Sequence, residues 1–263
     1  MIYHTLNPTI INIGFLQIRW YSLFYIIGLA IAYYLIRYVA KDWKIKLTDE
    51  DVLDYIVYLA VGLLIGGRIF YFIFYDFSSL IKDPIEILRL WNGGMSFHGG
   101  LIGVLVFGFI FCKKHKIDFW TMADLTVIPL GIALALGRIG NFINGELFGR
   151  IWEGSLCIDY TQNMHLNNPP DFCRYPSQLV ESFKNIIIFS TIWFLKDKKL
   201  PKGSLFWIFI TLYGFFRFMI EFIREPDPQI GFFLTYFTMG QILCIFMLII
   251  GAIMLIKPYI FKK

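Results

Sequence analysis

The chain has 263 residues, of which 57% are hydrophobic and 16% are charged, and its net charge at pH 7 is +5. Soluble domains usually contain about 25% charged residues, and the mean hydropathy of this chain is high, at +0.63. The composition therefore excludes an ordinary soluble domain and predicts a multi-pass membrane protein. The opening sequence MIYHTLNPTI lacks the basic region of a cleavable signal peptide, so we expect none.

Seven apolar stretches are long enough to cross the hydrocarbon core of a bilayer, which takes about 20 helical residues. In chain order they are residues 18–38, 52–74, 95–112, 119–136, 179–195, 204–223 and 236–256. The third stretch reaches this length only if it includes MSFHGG, which places His98 at the membrane edge. The alternative is a six-crossing chain with one re-entrant segment.

Basic residues set the predicted orientation, because cytoplasmic loops are enriched in Lys and Arg. They follow the first, third, fifth and seventh stretches: Arg37, Lys41, Lys44, Lys46, Lys113, Lys114, Lys116, Lys196, Lys198, Lys199, Lys202, Lys257, Lys262 and Lys263. We therefore expect seven transmembrane helices with the N-terminus outside and the C-terminus in the cytoplasm. The predicted organisation is one all-α membrane domain over 1–263 with a small outer head at 137–178. The positive net charge belongs mostly to the inner loops and does not indicate nucleic-acid binding.

Polar residues inside the predicted spans cluster toward the outer side. They are Tyr21, Arg68, His98, Arg138, Asn141, Glu181, Tyr213, Arg217, Glu221, Arg224 and Gln241. A charged side chain at the bilayer centre costs about 2.5–3.5 kcal/mol on insertion scales, and such residues usually face a cavity. One shared polar cavity at the outer leaflet is therefore expected, and internal ion pairing between helices is the alternative. Asp124, at the inner end of the fourth span, is the exception.

The sixth span indicates what this cavity binds. Tyr213, Arg217, Glu221 and Arg224 are spaced i, i+4, i+8 and i+11, which places them on one helical stripe. Arginine offers a planar fork that suits phosphate. An anion held by arginines at the outer leaflet is most simply a phospholipid headgroup. The alternative is a purely structural ion pair facing another helix.

The sequence GRIGNFINGELFGR, residues 137–150, follows the fourth span. We expect the helix to break near 140–145, with Arg138 and Asn141 facing the lipid phosphate and Glu146 reaching the site from the loop. Neighbouring glycines would let the backbone approach a ligand: Gly93, Gly94, Gly99, Gly100, Gly137, Gly140, Gly145 and Gly149. Close helix packing is the alternative reading, and it is favoured for Gly62, Gly66 and Gly67.

Other chemistries receive little support from the sequence. No HExxH, GxSxG, P-loop or dinucleotide motif occurs, and the four histidines are too scattered for a metal site. His98 suits proton transfer near neutral pH, with a packing role as an equal alternative. Cys157 and Cys173 share the outer loop and could pair in an oxidising compartment, which the sequence leaves open.

Several motifs resemble those of bacterial prolipoprotein diacylglyceryl transferases, in the same order along nearly the whole chain. They are RWY at 19–21, GGR at 66–68, GGMSFHGGLIGV at 93–104, GRIGNFINGELFGR at 137–150, YPSQLVE at 175–181, YGFFRFMIEFIREPD at 213–227 and MGQIL at 239–243. Tyr175 departs from the pattern, since many members have His at that position.

The resemblance implies an activity. Members of the family move the diacylglyceryl group of phosphatidylglycerol onto the lipobox cysteine of a preprolipoprotein at the bacterial inner membrane, with the active site toward the periplasm. A thioether forms and glycerol 1-phosphate leaves, as the first step of lipoprotein maturation. A seven-helix bundle with a periplasmic head, and no metal or organic cofactor, are expected. A lipid transporter or a lipid-binding module are the rival functions.

The expected site residues fall into two sets. His98, Arg138 and Arg217 are expected to be catalytic: the arginines hold the phosphate, and His98 takes the thiol proton or orients the headgroup. The expected substrate-binding residues are Tyr21, Arg68, Asn141, Asn144, Glu146, Gly149, Glu181, Tyr213, Glu221 and Arg224. Among these, the glutamates are expected to orient the arginines.

Overall fold

The structure is a computed structural model that describes residues 1–13, 16–166, 169–225, 232–233 and 237–260. Helices dominate these residues: α1 Trp20–Asp42, α2 Asp49–Phe74, α3 Phe77–Lys82, α4 Phe97–His115, α5 Phe119–Asn144, α6 Ser177–Leu195, α7 Ser204–Ile220 and α8 Met239–Ile260. Two short 3-10 helices, Pro84–Leu88 and Leu90–Asn92, precede α4. The strands are β1 Ile2–Tyr3, β2 Thr9–Ile13, β3 Leu16–Arg19, β4 Ile158–Asp159, β5 Phe232–Phe233 and β6 Phe237–Thr238.

Five of the described helices are long and apolar enough to cross a membrane, namely α1, α2, α4, α5 and α8. The chain is therefore a multi-pass membrane protein. Helix α7 is apolar but has only 17 residues. The third predicted span is continuous in α4, which begins one residue before His98 and is capped by the Ser96 hydroxyl, 3.3 Å from the Gly99 amide. Its 19 residues suit a full crossing better than a re-entrant segment.

The chain forms two compact units, one of Met1–Leu35 and Asp124–Lys263, the other of Ile36–Ala123. In the second unit, α2 and α4 pack through glycines. A Cβ on Gly66 would lie 2.2 Å from the Gly99 carbonyl oxygen, and one on Gly103 would lie 1.9 Å from that of Gly62. Close packing by Gly62 and Gly66 is therefore confirmed. Gly99 serves the same contact, so its missing side chain is explained without a ligand.

The first unit contains short strands that the sequence pattern did not predict, and one of them, β4, lies within the head segment 137–178. Strand β1 pairs in parallel with β4, and β2 forms an antiparallel hairpin with β3. Isolated bridges join Arg174 to both Ile151 and Ile158. Cys157 and Cys173 form a disulfide, which decides the pairing that the sequence left open.

His4 anchors the N-terminal strand to the head. Its Nε2 donates to the Phe142 carbonyl at 2.8 Å, and its Nδ1 accepts from the Asn163 side-chain amide at 2.7 Å. The Asn163 orientation is fixed, because its Nδ2 also donates to the Leu6 carbonyl and its Oδ1 accepts from the His165 amide. These contacts suit the neutral imidazole, and burial lowers the pKa of His4.

Asp124, the exception among the polar residues, has a structural role. Its carboxylate accepts from the backbone amides of Gly203 at 2.7 Å and Phe206 at 2.8 Å. These amides lie at the start of α7, where the first N–H groups of a helix have no partner within it. A buried carboxylate from α5 therefore caps α7.

The helix ends near the site show one confirmed prediction and one correction. Helix α5 ends at Asn144 and Gly145 has φ +63°, so the helix breaks within the predicted range. Helix α7, in contrast, ends at Ile220, which puts Arg224 beyond the predicted helical stripe. The cause is backbone pairing with the head: the Arg150 amide donates to the Ile223 carbonyl at 2.9 Å, and Gly149 bridges Arg224.

Candidate active site

Glu181 lies at the centre of a buried charged network in the first unit. This α6 side chain is nearly inaccessible, and its Oε2 is 2.9 Å from Arg138 Nε on α5. Lys184, one turn along α6, lies 3.7 Å from the same oxygen. Arg224 approaches the other oxygen at 4.0 Å. One carboxylate therefore orients cations from three separate chain segments.

A second ion pair extends this network. Arg217 donates to Glu221 one helical turn along the chain, and Arg217 also interacts electrostatically with Glu181. The other Glu221 oxygen accepts from the Thr238 hydroxyl at 2.7 Å, at the start of α8. Glu221 is thereby fixed from two sides and holds Arg217 in place. We call Arg138, Glu181, Lys184, Arg217, Glu221 and Arg224 the charged network.

Glu146 accepts hydrogen bonds from the side-chain amides of two asparagines. Its Oε1 accepts from the side chains of Asn141 at 2.8 Å and Asn144 at 3.1 Å. The residues that it orients are therefore asparagines, which differs from the expectation that it would orient an arginine. Tyr21, which donates to or accepts from the Tyr25 hydroxyl at 3.0 Å, lies within electrostatic reach of Glu146.

Gly149 is required by close backbone packing. Its amide donates to the Tyr175 carbonyl at 3.0 Å. A Cβ at this position would lie 2.5 Å from Tyr175 Cβ and 2.6 Å from the Ile223 carbonyl oxygen. Gly149 thus lies between the extended segments 174–175 and 223–224. A side chain at this position would push the two segments apart and would displace Arg224, which belongs to the second one.

Gln178 links the head to the network helix α6. Its amide donates to the Glu146 carbonyl at 2.9 Å and to the Tyr160 hydroxyl at 3.3 Å. Tyr160 is fully buried, and burial raises its pKa to about 12. Tyr160 therefore stays a neutral phenol at physiological pH and serves as a packing and hydrogen-bonding residue.

Two predicted site residues, Arg68 and His98, belong to the second unit. The Arg68 guanidinium is buried and donates to five backbone carbonyls. These carbonyls belong to Glu86, Ile87, Arg89, Gly93 and Gly94. The geometry thus gives Arg68 the role of holding the segment before α4, and its direct contact with substrate stays a prediction. His98 lies in the first turn of α4 with an exposed side chain.

Lys184 is a member of the charged network that the sequence pattern did not predict. Its side chain is 3% exposed, and its Nζ lies 3.8 Å from the centre of the Tyr213 ring. Nζ makes no hydrogen bond, although the Glu181 carboxylate is near. The available signal was a lysine three residues after a glutamate inside a predicted span, which is an i, i+3 pair on a helix.

Across the described residues, no group of three or more His, Cys, Asp or Glu side chains has the arrangement of a metal site. The chemistry that the charged network can supply is instead electrostatic. Partly buried arginines, held in place by buried carboxylates, can stabilise negative charge without reorganisation.

Comparison with known proteins gives consistent matches. The family model described as prolipoprotein diacylglyceryl transferase matches residues 8–257. A protein of Rickettsia canadensis (strain McKiel), named phosphatidylglycerol–prolipoprotein diacylglyceryl transferase, is 42% identical over 258 residues, which cover 96% of both chains. Proteins of the same name from Francisella tularensis subsp. holarctica (strain FTNF002-00 / FTA) and subsp. novicida (strain U112) are each 41% identical over 262 residues, covering 98% of this chain and 95% of theirs.

Proposed function

Because the chain belongs to the prolipoprotein diacylglyceryl transferase family, we propose that it transfers the diacylglyceryl group of phosphatidylglycerol to the lipobox cysteine of preprolipoproteins. The observation that carries this proposal is the charged network. Among its described members, four cations surround two carboxylates, so positive charge is in excess. That excess suits an anionic substrate whose negative charge grows during the reaction.

The reaction is a substitution at carbon. The cysteine reacts as its thiolate, and its sulfur attacks the glyceryl carbon that is esterified to phosphate. A C–S bond forms as the C–O bond breaks, and the electron pair of the C–O bond stays on the phosphate oxygen. Thioether-linked protein and glycerol 1-phosphate are the products. The leaving phosphate gains negative charge, so preorganised cations beside it lower the barrier.

Arg138 and Arg217 are the proposed phosphate ligands. Each is oriented by a buried carboxylate, Glu181 for Arg138 and Glu221 for Arg217. A guanidinium held in this way presents its terminal nitrogens in a fork that matches phosphate oxygens. Arg224, which reaches Glu181 from the segment beyond α7, supplies further positive charge.

The remaining polar residues are proposed to position the substrates. Asn141 and Asn144, held by Glu146, offer amides to the lipid headgroup or to the lipobox backbone. Tyr21 and Tyr213 contribute hydroxyl groups. Gly149 keeps the head segment close to Arg224.

His98 is the proposed base for the thiol proton. Histidine is the side chain that most often accepts a proton in general acid–base catalysis. Its exposure in the first turn of α4 leaves the ring accessible. A pH–rate profile tests this role: we expect His98→Asn to remove the acid limb of the profile. An acid limb and a rate that both survive the substitution would contradict it.

The finer topology is part of the same proposal. We infer that α6 and α7 also cross the bilayer, which makes seven crossings. The basic loops then lie in the cytoplasm, and the head with the charged network faces the periplasmic side of the inner membrane. Labelling of single cysteines introduced at Lys114 and at Met164 with a membrane-impermeant thiol reagent tests the orientation. The proposal expects only the second position to react in intact cells.

The decisive assay is the mass of a lipobox peptide incubated with the purified chain and phosphatidylglycerol. A diacylglyceryl mass shift is expected. Arg138→Lys and Arg217→Lys keep the charge but lose the fork, and each is expected to slow transfer by about a hundredfold, as for loss of one oxyanion-hole donor. Transfer at the wild-type rate by both variants would contradict bidentate phosphate recognition. Lipid binding without any transfer by the wild-type chain would favour a lipid-binding module.

A further inference from the structure

The charged network has a second layer farther from the head. Helix α6 begins and helix α7 ends at the head, which pairs residues 149–151 with 174–175 and 223–224. Counted from that end, Lys184 lies about 4.5 Å beyond Glu181, and Tyr213 lies about 6 Å beyond Arg217. The cation–π contact between Lys184 and Tyr213 closes this layer. The layer therefore lies one helical turn deeper than the glutamate–arginine layer.

Lys184 has unused bonding capacity in this layer. An ammonium group has three N–H donors, and the structure gives Lys184 Nζ the face of an aromatic ring and a carboxylate at 3.7 Å, with no hydrogen bond. A buried donor without a hydrogen bond is unfavourable unless a ligand completes it. Helix α6 carries two more buried polar side-chain atoms without a hydrogen bond, on Gln178 and Asn185. These side chains and Lys184 fall within a sector of about 120° on the helix.

We propose that Lys184 donates a hydrogen bond to an ester carbonyl of the diacylglyceryl group and so determines specificity for ester-linked lipid. This inference rests on the proposed function, in which Arg138 and Arg217 hold the phosphate. In phosphatidylglycerol the acyl esters are attached to the other two carbons of the glyceryl group, on the hydrocarbon side of the carbon that carries the phosphate. With the phosphate in the arginine layer, the esters lie in the layer of Lys184.

This division of contacts serves the reaction. The arginines hold the leaving phosphate, and Lys184 holds the group that is transferred. The carbon that is attacked lies between the two contacts, so both the bond that breaks and the group that moves are fixed. An ester carbonyl is a neutral acceptor, and Lys184 keeps its charge compensated by Glu181 while it donates. Contact between Lys184 and the phosphate is the competing outcome, which the experiment distinguishes.

The test compares two lipids on the same preparation of full-length enzyme. One is phosphatidylglycerol with ester-linked chains, and the other carries ether-linked chains of the same length, which keep the phosphate and lack both carbonyls. We expect the wild-type chain to use the ester lipid at least about tenfold better in kcat/KM, as for loss of a hydrogen bond to a charged donor. Because both rates come from one preparation, their ratio does not depend on the folded fraction.

Lys184→Met is expected to lose this preference, because its rate with the ester lipid should fall about tenfold more than its rate with the ether lipid. Lys184→Arg, which keeps the hydrogen-bond donors and the positive charge, is expected to retain most of the preference for the ester lipid. Lys196→Met is the matched control, because Lys196 is also a buried lysine but lies at the opposite end of α6. This control is expected to keep the wild-type ratio.

Two results would overturn the inference. One is a wild-type chain that uses both lipids equally. The other is a Lys184→Met chain that slows equally with both lipids, which would place Lys184 on the phosphate or in a purely structural role. Both results leave the proposed function intact, since transfer from phosphatidylglycerol still occurs. No transfer by the wild-type chain from either lipid would instead overturn the proposed function together with this inference.

Discussion

Replacing Glu181 with Gln tests how the charged network is held together. The substitution keeps the shape of the side chain and removes the charge that faces Arg138, Lys184 and Arg224. Removing one partner of a buried ion pair costs about 3–5 kcal/mol of folding free energy, because the remaining charge is left buried. Arg138 is partly exposed, with 19% of its side chain accessible, so the lower half of that range is expected.

The chain supplies a matched control in Glu225. Its carboxylate lies 2.9 Å from Arg174, the same distance as in the Arg138–Glu181 pair, but the Glu225 side chain is 43% exposed against 3% for Glu181. Exposed pairs contribute about 0–1 kcal/mol. Unfolding in detergent, followed by tryptophan fluorescence, should therefore show a fall of roughly 6–16 °C for Glu181→Gln and of less than roughly 4 °C for Glu225→Gln.

A second substitution sharpens the comparison. Adding Lys184→Met to Glu181→Gln removes one uncompensated cation, so the double variant should be more stable than Glu181→Gln alone. Such a deviation from additivity is expected for residues in direct contact. Equal effects of Glu181→Gln and Glu225→Gln, or a double variant less stable than Glu181→Gln, would refute the idea that burial of this carboxylate holds the cations.

Three further predictions concern the head. Burial lowers the pKa of His4, so the stability that His4 contributes should be complete above its ordinary pKa of 6.5 and lost as the pH falls toward its folded-state pKa. Unfolding temperatures measured from pH 8 to 5 should show this loss in the wild-type chain and a flatter profile in His4→Gln. Gly149→Ala should lower both stability and transfer rate, because its Cβ would lie 2.6 Å from the Ile223 carbonyl oxygen. Gly137→Ala, whose Cβ would have no atom within 4 Å, should be neutral or stabilising by up to about 1 kcal/mol. Equal losses in the two variants would contradict the close packing at Gly149. Replacing Cys157 and Cys173 together with Ser should lower the free energy of unfolding by about 3 kcal/mol, the value for a closed loop of this size, and an unchanged unfolding temperature in non-reducing buffer would argue against it.

Much of the helical architecture could be predicted from the sequence, because apolar runs and local turn residues determine it. Helix α5 ends where the glycine-rich stretch begins to change the backbone, at Gly145. The end of α7 was placed too late, because the pairing of Ile223 with Arg150 involves residues more distant in the chain than any local pattern. The strands were missed for the same reason. Helices α1 to α5 separate β1 from β4 in the sequence, so no local pattern indicates that the two strands pair.

Among the site residues, too, contacts between neighbours in the sequence could be predicted and contacts between distant residues could not. The Arg217–Glu221 pair could be predicted, because its members are one helical turn apart. The environment of Arg68 could not, since its five acceptors come from a loop whose backbone bends at Gly93 and Gly94, with φ of +77° and +78°. Lys184 was missed because its aromatic partner, Tyr213, lies on another helix.

The anchoring of the N-terminal strand has a consequence for biosynthesis. His4 and Asn163 are 159 residues apart in the chain. At ribosomal rates of about 5–20 residues per second, His4 waits roughly 10–30 s for this partner to be made. During that time β1 has no strand to pair with, so the head assembles only after α5 has been synthesised. The pairing of β1 with the head, although β1 precedes the membrane helices in the chain, is therefore among the last parts of the structure to form.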